Sequence, residues 1–124
     1  MKHFLSIHDF GKERIHMLLT DAEYFSNNVD SCSSILNSKL LVSAFFEPSL
    51  RTQLSFEAAI VRLDGNVLGM GSKNSTRANS AHEESPADSA RMMSGYADVI
   101  VFRHSSPVAL RLYAEGCSAQ HPAY

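Results

Sequence analysis

Apolar residues recur along this chain in two rhythms. Between Lys12 and Asn28, the residues Ile15, Leu18, Leu19, Ala22 and Phe25 fall three and four apart. That spacing lays side chains along one stripe of an α-helix, and Asp9 is a suitable cap for its start. The Ser- and Asn-rich stretch from Asn27 to Ser38 reads as a connection with a short apolar turn at Ile35-Leu36. Lys39 to Phe46 is a near-continuous apolar run of strand length, as expected for a strand covered on both faces. Glu47-Pro48-Ser49 breaks it. A helix from about Leu50 to Leu63 follows, with Leu54, Ala58 and Val61 on one face and Asp64-Gly65 as its stop. Asn66 to Met70 is a second short strand. Ser85-Pro86-Ala87-Asp88 has a hydroxyl cap, proline at the first helical position and an acid at the third. The helix it starts should turn Ala90, Met93 and Ala97 inward. Asp98 to His104 is a third strand of buried pattern, and Pro107 to Glu115 a last helix, with Gly116 as its stop.

Strands alternating with helices predict parallel pairing through right-handed crossovers. The expected architecture is α/β: a three-layer open parallel sheet of three or four strands, flanked by helices. Ligands of such sheets bind outside the carboxyl ends of the strands. Here those ends are Phe46 to Thr52, the stretch after Met70, and Arg103-His104-Ser105. After Met70 runs Gly71 to Glu84, with no apolar residue larger than alanine. A polar stretch of that length in a compact domain is typically a lid or binding loop.

Composition narrows the function classes. The chain is 44% hydrophobic and 19% charged with a formal net charge of -2, so no long-range field draws it to nucleic acid or an anionic membrane. Any anion site must be local. No run approaches the ~20 apolar residues of a membrane span, and the apolar run at the start is too short for a signal peptide. Cys32 and Cys117 make no metal pair and no disulfide framework, and the six histidines hold no His-x-x-x-His pair. The expectation is a cytoplasmic single domain with free thiols, without a metal site and with no nucleic-acid or membrane partner.

Ser49-Leu50-Arg51-Thr52 stands where a buried strand turns into a helix. The first backbone N–H groups of a helix lack internal partners, and its dipole adds partial positive charge there. Two hydroxyls and a guanidinium on that turn can donate to several phosphate oxygens at once. The alternative is ordinary helix capping by Ser49 and Thr52, with Arg51 as a solvated charge. The glycines and Gly-Lys pair of a nucleotide P-loop are missing. Arg103 closes the third strand at the same sheet edge, as a second ligand or as half of a surface ion pair. His121 and His82 are, on spacing alone, solvated loop histidines.

The stretch Phe45-Phe46-Glu47-Pro48-Ser49-Leu50-Arg51-Thr52-Gln53-Leu54-Ser55-Phe56-Glu57 resembles the carbamoyl-phosphate motif of the aspartate and ornithine carbamoyltransferases. That motif is Ser-Thr-Arg-Thr-Arg followed by a Ser-Phe-Glu helix. Leu5-Ser6-Ile7, Arg62-Leu63-x-Gly65, Glu84-Ser85-x-Ala87-Asp88, Asp98-Val99-Ile100-Val101-x-Arg103-His104 and Gln120-His121-Pro122 agree in order. The likeness therefore covers nearly the whole chain. Glu-Pro before Ser49 and Arg-His after the third strand are closer to the aspartate members.

The resemblance implies that residues 1–124 form the carbamoyl-phosphate-binding domain, incomplete at its carboxyl end, with the amino-acid-binding domain absent. It assigns the phosphate to Ser49, Leu50, Arg51 and Thr52, and the carbonyl oxygen to Thr52, Arg103 and His121. The substrates would be carbamoyl phosphate and L-aspartate in pyrimidine biosynthesis, the assembly a homotrimer, and no cofactor would be needed. Four departures stand out. Leu50 replaces the motif threonine and Gln53 its second arginine. The position of the family's loop lysine reads His82, with Lys73 and Arg77 the nearby cations. Only four residues separate Glu115 from Gln120, where the family has room for a fourth strand. These departures leave three expectations: a carbamoyltransferase by descent, a non-catalytic phosphate-binding or oligomerisation module, and the truncated product of a longer gene. The chain alone is expected to bind phosphate or carbamoyl phosphate without turnover.

Overall fold

The computed structural model describes residues 3–70 and 85–118. In chain order it contains α1 (Gly11–Asn27), β1 (Leu40–Phe45), α2 (Leu50–Arg62), β2 (Asn66–Met70), α3 (Pro86–Ser94), β3 (Val99–Arg103) and α4 (Pro107–Ser118). Short 3-10 turns at Ile7–Asp9 and Asp30–Cys32 flank α1. The strands form one sheet in the order β2-β1-β3. Both pairings are parallel, with Leu41 opposite Val67 and Val99, and Phe45 opposite Arg103. This is the open α/β arrangement expected from the alternating pattern.

β1 lies at the centre, which explains its sequence. Leu41, Val42, Ala44 and Phe45 are all buried, and side chains alternate between the two faces of a strand. Val42 and Ala44 pack with Ala90 and Met93 of α3 and Ala109 and Tyr113 of α4. Leu41 and Phe45 point the other way, toward the side on which α2 contacts the sheet. β3 differs from expectation. As an edge strand among the described residues it leaves Val99 52% exposed, so its apolar composition does not mean burial on both faces.

Three local expectations are corrected. Asp9 does not cap α1: it lies in the preceding 3-10 turn, which Ser6 caps, and Phe10 takes the cap position without a side-chain bond. The buried residue of α2 is Ile60, with Gln53, Glu57 and Leu63 half-buried, whereas Leu54 and Val61 are 54% and 60% exposed. The leucine-rich stripe is thus the outer one. Gly116 does not stop α4, which runs on to Ser118. A Cβ there would lie 2.5 Å from the Ala87 carbonyl oxygen and 2.9 Å from the Ala90 Cβ, so this glycine lets α3 and α4 approach closely.

Other features follow the sequence. Ser85 Oγ accepts from the Asp88 N–H at 3.1 Å and donates to its carboxylate at 2.7 Å, which closes the first turn of α3. Asp64 takes a left-handed conformation (φ 68°) after α2, and its carboxylate accepts from Asn37 Nδ2. Cys32 and Cys117 are free thiols. Cys117 is packed against the α3–α4 core, and burial raises its pKa.

Candidate anion-binding site

The carboxyl end of β1 leads through Phe46, Glu47 and Pro48 into α2. Ser49 is the N-cap of α2, with Leu50, Arg51 and Thr52 forming its first turn. Capping would spend the Ser49 hydroxyl on a backbone N–H, and here it makes no such bond. It donates instead to Thr52 Oγ1 at 3.0 Å, so the two hydroxyls are held together at the helix start. The first bond in the ladder is Gln53 N–H to the Ser49 carbonyl, 2.9 Å. The N–H groups of Leu50, Arg51 and Thr52 therefore have no acceptor within the helix. Four donors of one turn, three N–H groups and the Thr52 hydroxyl, can converge on a single anion with the positive end of the dipole behind them. Leu50 contributes its backbone only, its side chain being 72% exposed.

Arg103 arrives at this edge by strand register. It ends β3 opposite Phe45, and its carbonyl accepts from the Phe46 N–H at 2.9 Å. Alternation along β3 sends its side chain to the face shared with Phe45, the side of α2, while Phe102 goes to the α4 side. Among the described residues the only ion pairs are Lys39–Asp98 and Asp88–Arg91. Neither Arg51 nor Arg103 is neutralised by an acid within them. The surface-ion-pair alternative for Arg103 has no partner there.

Gln53, in place of a second motif arginine, donates from Nε2 to Glu57 Oε1 at 2.9 Å, bridging one turn on the sheet-facing side. His82, Lys73, Arg77 and His121 lie outside the described residues. So do Gly71 to Glu84 as a whole and Gln120-His121-Pro122. Among the described residues no helix is long and apolar enough to cross a membrane.

A cluster of rings lies behind Arg103, on the other face of the sheet, and no motif in the sequence marks it. Phe102 and Tyr113 lie 4.0 Å apart between centroids, Phe46 and Phe102 5.3 Å, and His104 lies parallel to Phe102 at 6.0 Å. The available signal was weak: a histidine two residues before the amide that precedes a helix-starting proline.

The whole span from residue 2 to residue 122 matches the model of the "Aspartate/ornithine carbamoyltransferase, carbamoyl-P binding domain". The chain belongs to the aspartate/ornithine carbamoyltransferase family. It is 44% identical over 117 residues to the aspartate carbamoyltransferase catalytic subunit of Methanocaldococcus jannaschii, covering 93% of this chain and 38% of that protein. A solved structure of the M. jannaschii catalytic subunit superposes with a TM-score of 0.83 at 42% identity, over 94% of this chain and 39% of the other. The ornithine carbamoyltransferase of Pyrococcus furiosus gives a TM-score of 0.82 at 27% identity, over 94% and 37%. The aspartate transcarbamoylase of Trypanosoma cruzi, solved with N-(phosphonacetyl)-L-aspartic acid, gives 0.78 at 29%, over 98% and 37%. The chain thus spans about 38% of the length of the curated relatives it matches. It stands closer in sequence to the M. jannaschii aspartate enzyme than to this ornithine one.

Proposed function

We propose that this chain binds carbamoyl phosphate as the phosphate-holding part of an aspartate-type carbamoyltransferase. The observation that carries the reading is the turn at the start of α2. The Ser49 hydroxyl bonds Thr52 rather than the backbone, and the helix's first N–H groups are left to an external acceptor. Ser49, Arg51, Thr52 and the Leu50 N–H hold the phosphate. Thr52, Arg103 and His121 donate toward the carbonyl oxygen. Such donors lower a barrier when they are aimed at where charge develops.

In the complete reaction the amine of L-aspartate attacks the carbamoyl carbon. A C–N bond forms, the carbonyl oxygen takes up negative charge, and the C–O bond to phosphate then breaks as the amine's proton passes to the departing phosphate. The protein's work is positioning and charge stabilisation, with no covalent intermediate. L-aspartate as second substrate and a homotrimer as the assembly belong to the same proposal. Residues 1–124 by themselves hold carbamoyl phosphate without transferring its carbamoyl group, which fits a match of about 38% of the relatives' length.

Calorimetric titration with carbamoyl phosphate or N-(phosphonacetyl)-L-aspartate tests the turn. Arg51→Ala should weaken binding by tenfold or more, since hydrogen bonds to charged groups are worth about 1.5–3 kcal/mol. Unchanged binding in that variant would remove the turn from the site. Carbamoyl-aspartate formed by the wild-type chain alone would refute the absence of turnover.

A further inference from the structure

We infer that His104 is a positioning residue, an acceptor that fixes the strand-end loop and thereby sets Arg103 against the Ser49–Thr52 turn. The inference rests on the phosphate reading of that turn.

Three observations converge on this imidazole. First, the Ser106 N–H donates to His104 Nδ1 at 2.9 Å, closing a two-residue turn of the kind Asn and Asp side chains make. Ser106 is followed by Pro107, the first residue of α4. The bond therefore ties the end of β3 to the start of the next helix. An accepting Nδ1 is also an unprotonated one, which leaves the ring proton on Nε2.

Second, the ring is held on two sides. It lies parallel to Phe102 within 4° at 6.0 Å, and tilted against Phe46 at 5.8 Å, both within the range of favourable aromatic contacts. Phe46 belongs to the segment that carries β1 into the Ser49 turn. His104 thus touches both chain segments that leave the sheet at this edge. Third, the backbone between them is already joined by the Phe46 N–H to Arg103 carbonyl bond of 2.9 Å. With the ring in place, Arg103 is fixed on both sides, by β1 before it and by the His104–Ser106 closure after it.

A hydrophobic ring would suffice if this position only filled space. The hydrogen bond asks for an acceptor at Nδ1, and variants separate the two demands. His104→Phe keeps the ring and loses the acceptor. His104→Asn loses most of the ring and keeps an acceptor, Oδ1, at nearly the place of Nδ1. Titration with N-(phosphonacetyl)-L-aspartate should show His104→Phe weakened roughly tenfold, since displacements of about 1 Å at a site have effects up to ~100-fold. His104→Asn should stay within about twofold of wild type. Amide exchange at Ser106 should accelerate in His104→Phe and remain slow in His104→Asn. In the wild-type chain, 15N shifts of the His104 ring at pH 7.5 should report Nδ1 unprotonated, a measurement that needs no variant to fold.

Wild-type affinity in His104→Phe overturns the inference and leaves the phosphate reading intact. Equal weakening in both variants overturns it too, because the acceptor would not be the operative feature, and so does a protonated Nδ1. No binding by the wild-type chain, or full binding in Arg51→Ala, overturns the phosphate reading itself and the positioning role with it.

Discussion

The two faces of the central strand are built very differently. On one, Val42 and Ala44 meet Ala90, Met93, Ala109 and Tyr113 in a contiguous core, and Gly116 brings α4 within a methyl group's reach of α3. On the other, α2 commits a single buried residue, Ile60. α1 buries none. A 17-residue helix gains its stability in proteins largely from packing an amphipathic face. The candidate phosphate turn lies at the start of α2, on the thinly covered side. Stability and chemistry are therefore concentrated on opposite faces of the sheet. The turn is held in place by strand ends and loop bonds more than by a packed helix.

The largest expected effect breaks the dense face. Met93 is 1% exposed and sits between the two helices and the sheet. Met93→Ala removes a fully buried side chain where close-packed backbone limits collapse into the cavity. We expect a loss of about 3 kcal/mol in urea unfolding, within the usual range for such truncations. A loss under 1 kcal/mol would mean that the α3–α4 face does not dominate stability.

Much of this division was absent from the sequence pattern. β1 was legible because a central strand in a parallel sheet is apolar nearly throughout, and Leu40 to Phe45 is so at every position but Ser43. α3 was legible because Ser85, Pro86 and Asp88 each have one evident use at a helix start. The inward face of α2 was not. Leu50, Leu54 and Val61 form an outer stripe, while the inner side holds Ile60 and the polar Gln53 and Glu57, which bond to each other. Periodicity finds an apolar face but cannot say what covers it. Gly116 misled for a related reason: glycine ends helices and also lets helices touch, and only the neighbour, Ala87, distinguishes the two. At the site, Ser49 to Thr52 stood out as a motif. Its escape from capping is a matter of side-chain rotation, which no sequence displays.

A middling effect sharpens the comparison by asking what holds β3 to the centre. Asp98 accepts from Lys39 Nζ and from the Leu40 N–H, both at 2.9 Å. The Lys39 ammonium, and then the Leu40 amide, lower its pKa below the ordinary carboxylate value. A carboxylate with a depressed folded-state pKa contributes stability above its unfolded value, near pH 4, and loses it as pH falls through the folded value. Asp98→Asn should therefore flatten the stability profile below about pH 4. At pH 7 the loss should be small, because the pair is exposed and screened. Parallel wild-type and variant profiles in acid would show that the edge strand depends on the dense face alone.

The smallest effect concerns the outer stripe of α2. Leu50, Leu54 and Val61 are 72%, 54% and 60% exposed, so little apolar area is removed from water when the chain folds. Leu54→Gln exchanges one good helix former for another of similar propensity. It should leave the stability of a dilute sample within about 0.5 kcal/mol of wild type, as for surface positions generally. The same measurement at a fiftyfold higher concentration gives the comparison its sharpest form. If wild type gains stability with concentration and Leu54→Gln does not, this stripe is buried between copies of the chain. The thin face would then be completed by association, because only binding to the folded state makes stability concentration-dependent. If neither depends on concentration, the asymmetry belongs to the single chain, and the phosphate turn must be held by the Phe46–Arg103 and His104–Ser106 bonds.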